Sequence, residues 1–274
     1  MANTSPAFDQ RPARVRTDWG ISGALALTAT DARASLVVVV DVLSFSTTVT
    51  VACEQGTGVY PFPYDDPAGA ARLARTMRAA LAGPRWEDGI SISPASLRDL
   101  DAERLVIPSP SAAQICHTIA NRGALIVAGS LRNAKAVAGL TAAHLDASER
   151  HDVVLVPVGE RWPDDTLRPA LEDYLAVGAI ASRLASMLPG VSVSPETAAT
   201  VTLWKGTRDV ADSVGGAASG RELLDSGFGD DVTIATDVDV TDVVPVLVDG
   251  AFVPLGRRAA GVRNRRNAST VAAR

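Results

Sequence analysis

Residues 36–50 read LVVVVDVLSFSTTVT, and this stretch determines the fold more than any other part of the chain. The apolar run is short, unbroken and rich in valine, which is typical of a strand buried on both faces of a parallel sheet. Such a strand would end near Asp41, and Ser46 or Thr47 would cap the helix that continues through Val49. Open α/β sheets bind their ligands beyond the carboxyl ends of the strands, so Asp41 is the first candidate for a functional residue.

Two interpretations of this strand end are open. A carboxylate beside free backbone N–H donors suits a phosphate that is held together with a divalent cation. Alternatively, Asp41 only ends the strand and Ser46 only caps the helix, because turns and caps use the same residue types. Other strand ends along the chain repeat the pattern, and this repetition favours the functional interpretation.

The composition is that of an ordinary globular protein. Of the 274 residues, 47% are hydrophobic and 21% are charged, and the formal net charge is −5. We expect one compact unit over residues 15–256, preceded by a flexible N-terminus at 1–14 and followed by a basic, disordered tail at 257–274. The acidic balance argues against a nucleic-acid partner, since binding to a phosphate backbone needs a concentrated basic surface.

Membrane and redox signals point to a cytoplasmic protein. No apolar run approaches the roughly 20 residues that are needed to span a bilayer. Residues 1–10 are polar and lack the apolar core of a secretory signal. Cys53 and Cys116 offer neither zinc spacing nor a disulfide framework, so we expect two buried thiols. A homo-oligomer is left open.

Strand-like and helix-like runs alternate along the chain, which predicts β-α-β units. Besides 36–40, strands are expected at 105–107, 124–128, 153–158, 232–235 and 243–248. Ala-rich segments with helical spacing separate most of them. The prediction is an α/β fold with a largely parallel or mixed sheet and helices on both faces, in three α/β/α layers. The last segment, 243–255, reads as two edge strands around a turn at Asp249-Gly250.

Two further strand ends place hydroxyl groups directly before a helix. Residues 106–111 read VIPSPS and residues 126–133 read IVAGSLRN. If these strands are parallel to the first, their ends meet Asp41 at one edge of the sheet. Guanidinium matches the geometry of phosphate or sulfonate oxygens. The candidates for anion binding at these ends are Ser109, Ser111, Ser130, Arg132 and Asn133.

Carboxylates gather around the strand predicted at 153–158. Glu160 and Arg161 follow it, and Glu172 and Asp173 lie in the first turn of a long helix. Carboxylates in a first turn also complement the helix dipole, which is the structural alternative. The functional interpretation is that Asp41 and Glu160, with Glu172 or Asp173, surround a hard cation. Mg²⁺ takes oxygen ligands and needs only one or two carboxylates when the substrate brings phosphate.

Several stretches, taken in order, resemble one family. They are Asp41-Val42-Leu43 with Thr47-Thr48, Ser93-Pro94, residues 129–138 (GSLRNAKAVA), Gly159-Glu160 with Glu172-Asp173 and Gly178-Ala179-Ile180, and Ser219-Gly220 through Asp231-Val232. Together they resemble 2-phosphosulfolactate phosphatase, the magnesium-dependent enzyme of coenzyme M biosynthesis, over roughly residues 15–255. The resemblance implies hydrolysis of a small anionic phosphate ester to sulfolactate and phosphate, with Mg²⁺ as cofactor.

The family resemblance and the polar residues at the strand ends together predict the residues of the site. The catalytic candidates are Asp41, Glu160 and Asp173, and the expected Mg²⁺ ligands are Asp41, Glu172 and Asp173. Asp41 could be a metal ligand, a general base or a nucleophile, and we favour the ligand. The residues expected to contact the substrate are Ser46, Thr47, Thr48, Ser109, Ser111, Ser130, Arg132, Asn133 and Arg161.

The sequence departs from the family pattern at two places. An Arg usually follows Asp-Val-Leu, where this chain has Ser44, and an Asn-Gly-Thr-Arg stretch usually stands where residues 111–114 read SAAQ. Arg161 and Arg168 are the candidates to replace these groups. The alternative function is therefore a non-catalytic anion-binding relative. A haloacid-dehalogenase mechanism is disfavoured, since it needs an acid where Leu43 stands.

Overall fold

The computed structural model describes residues 5–255, so the basic tail predicted at 257–274 lies outside the described residues. The strands are β1 (Val15–Thr17), β2 (Ser35–Val40), β3 (Gly58–Pro63), β4 (Ala80–Leu81), β5 (Arg104–Ser109), β6 (Leu125–Gly129), β7 (Asp152–Pro157), β8 (Glu160–Arg161), β9 (Leu167–Arg168), β10 (Pro245–Val248) and β11 (Ala251–Pro254). The α-helices are α1 (Gly20–Leu27), α2 (Phe45–Glu54), α3 (Pro67–Met77), α4 (Ala112–Ala120), α5 (Ala134–Asp146), α6 (Leu171–Met187), α7 (Pro195–Gly206), α8 (Val210–Gly216), α9 (Ala218–Asp225) and α10 (Gly229–Thr236).

One large mixed sheet organises this part of the chain. Its strand order is β1-β7-β2-β6-β10-β11-β3-β5-β4, and β8 pairs with β9 separately. The strands β1, β7, β2 and β6 are parallel to one another, and β3, β5 and β4 form a second parallel group. The antiparallel hairpin β10–β11 joins the two groups. The predicted mixed α/β architecture is confirmed.

Strand β2 is an interior strand of the sheet, between β7 and β6. Val38 and Val40 pack into a core with side chains of α5 and α6. Val37 and Val39 point to the opposite core, which contains side chains of α2 and α4. A strand with a helical layer on each face is apolar at every position, which explains the unbroken valine run.

Helix α6 is fixed against α7 by a close backbone approach. A Cβ atom at Gly178 would overlap with the carbonyl group of Thr200. The two helices therefore pack at a distance that only glycine permits at this position. Since Glu172 and Asp173 lie in the first turn of α6, this contact also determines where those carboxylates lie.

Two predictions of secondary structure were wrong. Residues 232–235, expected as a strand, lie in α10, where Val232 and Ala235 are buried at helical spacing. A short apolar run does not distinguish the two periods by itself. The C-terminal hairpin was expected at an edge but lies in the middle of the sheet, between β6 and β3. In addition, β3 was not predicted, because prolines interrupt its sequence GVYPFP.

Residues 5–14, expected to be flexible, pack against the domain. They contain a short 3-10 helix at Pro6–Asp9. Arg14 Nη2 donates hydrogen bonds to the carbonyl oxygens of Leu145 and Ser148, at 2.6 Å each, and Arg11 forms an ion pair with Asp152. This segment is thus attached to the edge of the sheet that β1 and β7 form. In the part of the chain that the structure describes, every helix is too short or too polar to cross a membrane.

Candidate active site

A cavity of about 780 Å³ lies where the ends of several strands meet. Asp41 follows β2, Glu160 belongs to the short strand β8 just after β7, and Ser111 follows β5; all three line the cavity. Arg85 and Arg161 contribute two guanidinium groups. Strands of both parallel groups thus contribute to one cavity, and of the predicted site residues the structure brings Asp41, Glu160, Ser111 and Arg161 together in its lining.

The loop after β2 holds Asp41 through its own hydrogen bonds. Asp41 Oδ1 accepts the Phe45 N–H at 3.1 Å. The Ser46 hydroxyl accepts the backbone N–H of Asp41 at 3.0 Å and donates to its carbonyl oxygen at 2.7 Å. The Thr47 hydroxyl donates to the Val42 carbonyl, and the Thr48 hydroxyl donates to that of Ile92. These three hydroxyl residues are fully buried, so they hold the loop rather than face the cavity.

Asp173 connects this loop with the loop after β7. Its Oδ1 accepts the Val42 N–H at 2.7 Å, and its Oδ2 accepts the Gly159 N–H at 2.9 Å. The side chain is buried at the start of α6. Burial and the negative charges of Asp41 and Glu172 raise the pKa of Asp173 well above its usual range, against the opposing effect of the two N–H donors. The geometry makes Asp173 a positioning residue.

Glu172 is the unusual carboxylate of the group. It is 1% exposed, and its Oε2 has no hydrogen-bond partner. A buried carboxylate oxygen without a partner is costly, and such groups often mark a site that binds a ligand or an ion. The charge of Glu172 also acts on the three other carboxyl groups of the cluster.

Burial and mutual repulsion change the acidity of the carboxylates that face the cavity. Burial raises the pKa of Asp41 to about 7; the Phe45 N–H opposes this shift, and the charge of Glu172 adds to it. Burial and the charge of Asp41 raise the pKa of Glu160 to about 8, against the opposing charge of Arg168. Without a cation, these groups hold protons near neutral pH. Clusters with such shifts are typical of functional sites.

Arg85 is the functional candidate that the sequence did not reveal. Its Nη2 donates to the Ser44 hydroxyl at 2.9 Å, and its Nη1 pairs with Asp231 Oδ2. The guanidinium carbon lies 5.3 Å from the centre of the Phe228 ring. Arg85 thus places a guanidinium group beside Ser44, the position at which an arginine usually stands in the resembled family pattern.

A buried network holds Arg85 in place. Asp231 is 1% exposed. Its Oδ1 accepts the Ser93 hydroxyl at 2.5 Å and the Ala95 N–H at 3.1 Å. Two of the stretches that carry the resemblance, Ser93-Pro94 and Asp231-Val232, therefore meet at this arginine.

The β8–β9 hairpin contributes the remaining arginines. Glu160 lies opposite Arg168 in its register, and Arg168 Nη2 donates to the Ser219 hydroxyl at 3.0 Å. Arg161 Nε donates to the Ser111 hydroxyl at 3.0 Å, across the cavity wall. Of the two arginines expected to compensate for the departures from the pattern, Arg161 lines the cavity.

Besides Ser46, Thr47 and Thr48, four further residues that were predicted to contact the substrate do not line the cavity. Asn133 is fully buried and connects the Ser130 N–H with the carbonyl oxygens of Ala128 and Val243. Arg132 pairs with Glu54 and Asp237. The Ser109 hydroxyl is buried and has no hydrogen-bond partner. Hydrogen bonds and ion pairs within the fold thus explain the residue types at Ser130, Arg132 and Asn133, which the sequence offered as anion ligands. Nothing in the structure explains the hydroxyl group of Ser109.

The donor set fits a hard cation only in part. Within residues 5–255, no three side chains among His, Cys, Asp and Glu converge in an arrangement that would hold a metal ion. Each oxygen of Asp173 already accepts a backbone N–H. Asp41 and the unpartnered Glu172 Oε2 remain, and Mg²⁺ is commonly bound by one or two carboxylates, waters and a substrate phosphate. The full set Asp41, Glu172 and Asp173 stays a prediction.

Comparison with known proteins identifies the family. A model of the family described as 2-phosphosulpholactate phosphatase matches residues 25–250. The chain belongs to this family. The predicted enzyme class, a phosphoric monoester hydrolase, is thereby confirmed. Both cysteines are buried, as expected, and burial raises the pKa of the Cys53 thiol to about 12.

Relatives of the family share about a quarter of their residues with this chain. A probable 2-phosphosulfolactate phosphatase of Deinococcus radiodurans is 26% identical over 227 residues, which cover 80% of this chain and 90% of the relative. Proteins with the same name from Thermotoga petrophila and Thermotoga maritima are each 26% identical over 222 residues, covering 79% of this chain and 90% of the relative. The similarity thus includes nearly the whole length of these relatives.

Proposed function

We propose that the protein is a Mg²⁺-dependent phosphatase that hydrolyses a small phosphate ester. The substrate that membership of the family suggests is 2-phosphosulfolactate or a related phosphorylated acid. The observation that carries the proposal is the meeting of Asp41, Glu160 and Arg85 in one cavity, in a chain of this family. A carboxylate pair beside a guanidinium group supplies what phosphoryl transfer needs from a protein, namely charge, positioning and a proton carrier.

The protein's own groups divide these tasks. In the hydrolysis, a water oxygen forms a bond to phosphorus, and the bond between phosphorus and the ester oxygen breaks. One proton of the water stays on the phosphate product and the other is released, while the leaving oxygen takes a proton from Glu160, which is then protonated again. Arg85 and Arg161 offer N–H donors for the phosphoryl oxygens. Glu160, beside Asp41 in the cavity, holds or donates the proton at the leaving oxygen. Asp173 fixes the two loops that carry Asp41 and Glu160.

Asp41 and Glu172 are the residues that we expect to hold Mg²⁺. Asp41 faces the cavity, and Glu172 has a carboxylate oxygen without a partner. When bound, the ion would supply positive charge that stabilises the transferring phosphoryl group.

The test is phosphate release from a panel of esters that includes 2-phosphosulfolactate, measured after treatment with a chelator and after addition of Mg²⁺. We expect release only with Mg²⁺, and its loss in Asp41→Asn without loss of the cooperative thermal transition. Asp101→Asn is the matched control, because Asp101 is exposed and does not line the cavity. Silence of folded protein across the panel would replace the proposal by the anion-binding alternative, and release in Asp41→Asn would remove Asp41 from the site.

A further inference from the structure

Beyond its charged mouth, the cavity has mostly apolar walls. The apolar side chains of this wall come from several loops and strands: Leu43, Tyr64, Leu81, Trp86, Ile92 and Phe228. Trp86 is 75% exposed, Tyr64 54% and Leu81 39%, so large apolar groups face solvent around a single concave site. Clustered exposure of this kind marks a ligand-binding surface, whereas single exposed apolar residues are common everywhere.

The size of the cavity exceeds what a three-carbon acid fills. At about 780 Å³ it lies well inside the range of about 300–1,000 Å³ that is typical of sites for drug-sized molecules. 2-Phosphosulfolactate has three carbons and carries carboxylate, sulfonate and phosphate groups. It offers almost no apolar surface to the walls, and it would leave most of this space to water.

The charges of the cavity also fit one anionic group better than three. Among the described residues that line it, the cationic side chains are Arg85 and Arg161, and each already pairs with an aspartate, Asp231 and Asp165. Three carboxylates line the same cavity: Asp41, Glu160 and Glu222. Together with a divalent cation, these charged groups can compensate the charge of one phosphate. In the described part of the chain, the apolar wall offers no cationic side chain for a sulfonate or a second carboxylate.

We infer that the substrate is a phosphate monoester whose alcohol carries an apolar body, such as an alkyl chain or an aromatic ring. The phosphate lies at Asp41 and Arg85, and the apolar body lies against Tyr64, Trp86 and Phe228, where flat aromatic faces bury apolar surface efficiently. This inference rests on the proposed phosphatase function, and for the same site it replaces the phosphorylated acid named above by a different substrate class.

The experiment compares esters that differ only in the alcohol. Phosphate release is measured with Mg²⁺ for the n-alkyl phosphates from methyl to hexyl, for phenyl phosphate and for 2-phosphosulfolactate. Each buried methylene is expected to raise kcat/KM about 4-fold, until the cavity is filled. Trp86→Ala should reduce this dependence on chain length. Phe8→Ala is the matched control, since Phe8 is an exposed aromatic residue that does not line the cavity.

Non-hydrolysable n-alkylphosphonates, titrated by calorimetry, give a second readout that separates substrate class from activity. Higher kcat/KM for 2-phosphosulfolactate than for every alkyl or aryl ester, or no dependence on chain length, overturns the inference and leaves the phosphatase function in place. If no ester is hydrolysed but phosphonate binding tightens with chain length, the phosphatase function fails and the apolar specificity stands. If binding is also independent of chain length, both are refuted.

Discussion

Replacing Arg85 by alanine should destabilise the protein far more than removal of a surface arginine, because it leaves Asp231 as a buried charge. Asp231 is 1% exposed and loses the partner of its Oδ2, while the Ser93 and Ala95 donors still satisfy its Oδ1. Breaking a buried pair at one partner costs about 3–5 kcal/mol. Since two donors remain, we expect the lower end of that range, about 3 kcal/mol.

The chain contains a matched control, an exposed ion pair whose aspartate directly precedes Asp231 in the sequence. Arg98 pairs with Asp230 at 2.8 Å, and both side chains are 64% exposed. A pair of this exposure contributes about 0–1 kcal/mol, so Arg98→Ala should change the free energy of unfolding little. For a domain of this size, 3 kcal/mol corresponds to a decrease in Tm of roughly 6–12 °C.

Urea unfolding and thermal melts of Arg85→Ala, Asp231→Asn and the double variant measure the coupling between the two residues. We expect the double variant to lose less stability than the sum of the single variants. Equal effects of Arg85→Ala and Arg98→Ala, or single effects that simply add, would refute the buried network. Phosphate release by Arg85→Lys then tests the role of the planar guanidinium group. Lysine keeps the positive charge but lacks two directed N–H groups, so we expect a lower kcat/KM and a smaller decrease in Tm than in Arg85→Ala.

Three further outcomes are expected from the same structure. In the presence of a chelator, the free energy of unfolding should fall as the pH rises from about 4 to 8, because Asp41 and Glu160 have raised pKa values in the folded protein and the unfolded chain releases these protons first. Mg²⁺ should reduce this pH dependence, which thermal melts measure. A pH dependence that Mg²⁺ leaves unchanged would contradict binding of the ion by these carboxylates. Gly178→Ala should lower the Tm because its Cβ meets the Thr200 carbonyl, whereas Gly139→Ala, with open space at its Cβ, should be neutral or stabilising by up to about 1 kcal/mol; equal Tm values would show that α6 and α7 are not in close contact. Arg132→Ala should leave KM for every phosphate ester unchanged, and a rise in KM would restore this residue to the substrate site.

The parts of the fold that follow from local patterns could be predicted from the sequence. The valine run of β2 needs burial on two faces, which only a central strand of a layered α/β fold provides. The polar residue at its end then faces the strand-end crevice, and Asp41 does line the cavity. Glu160 was found for the same reason, because it directly follows another buried strand.

The hydroxyl and amide residues show where local patterns fail. Ser46 and Thr47 lie in the first turn of α2, and Asn133 directly precedes α5, which are positions that anion ligands also occupy. Each of these side chains instead satisfies a backbone group of the preceding loop or strand. Capping and ligand binding need the same side chains, so the sequence alone does not separate the two uses.

Arg85 could not be found because its environment is non-local. It lies in a segment without regular periodicity, and its partner Asp231 is 146 residues away along the chain. Asp231 itself lies in α10, the element that was expected as a strand. Only the packing of α10 against the 3-10 helix at Pro94–Leu97 brings these groups together.

The clamp formed by Asp173 has a consequence for how this enzyme diversifies. Its two oxygens accept the N–H groups of Val42 and Gly159, the immediate neighbours of Asp41 and Glu160, so one side chain sets the separation of these two carboxylates. The apolar wall, in contrast, is made by Tyr64, Leu81 and Trp86, none of which contributes to that clamp. If the wall binds the alcohol group as proposed, substitutions there change which alcohol fits while the spacing of Asp41 and Glu160 stays constant. Selection and protein engineering can then change these two properties independently.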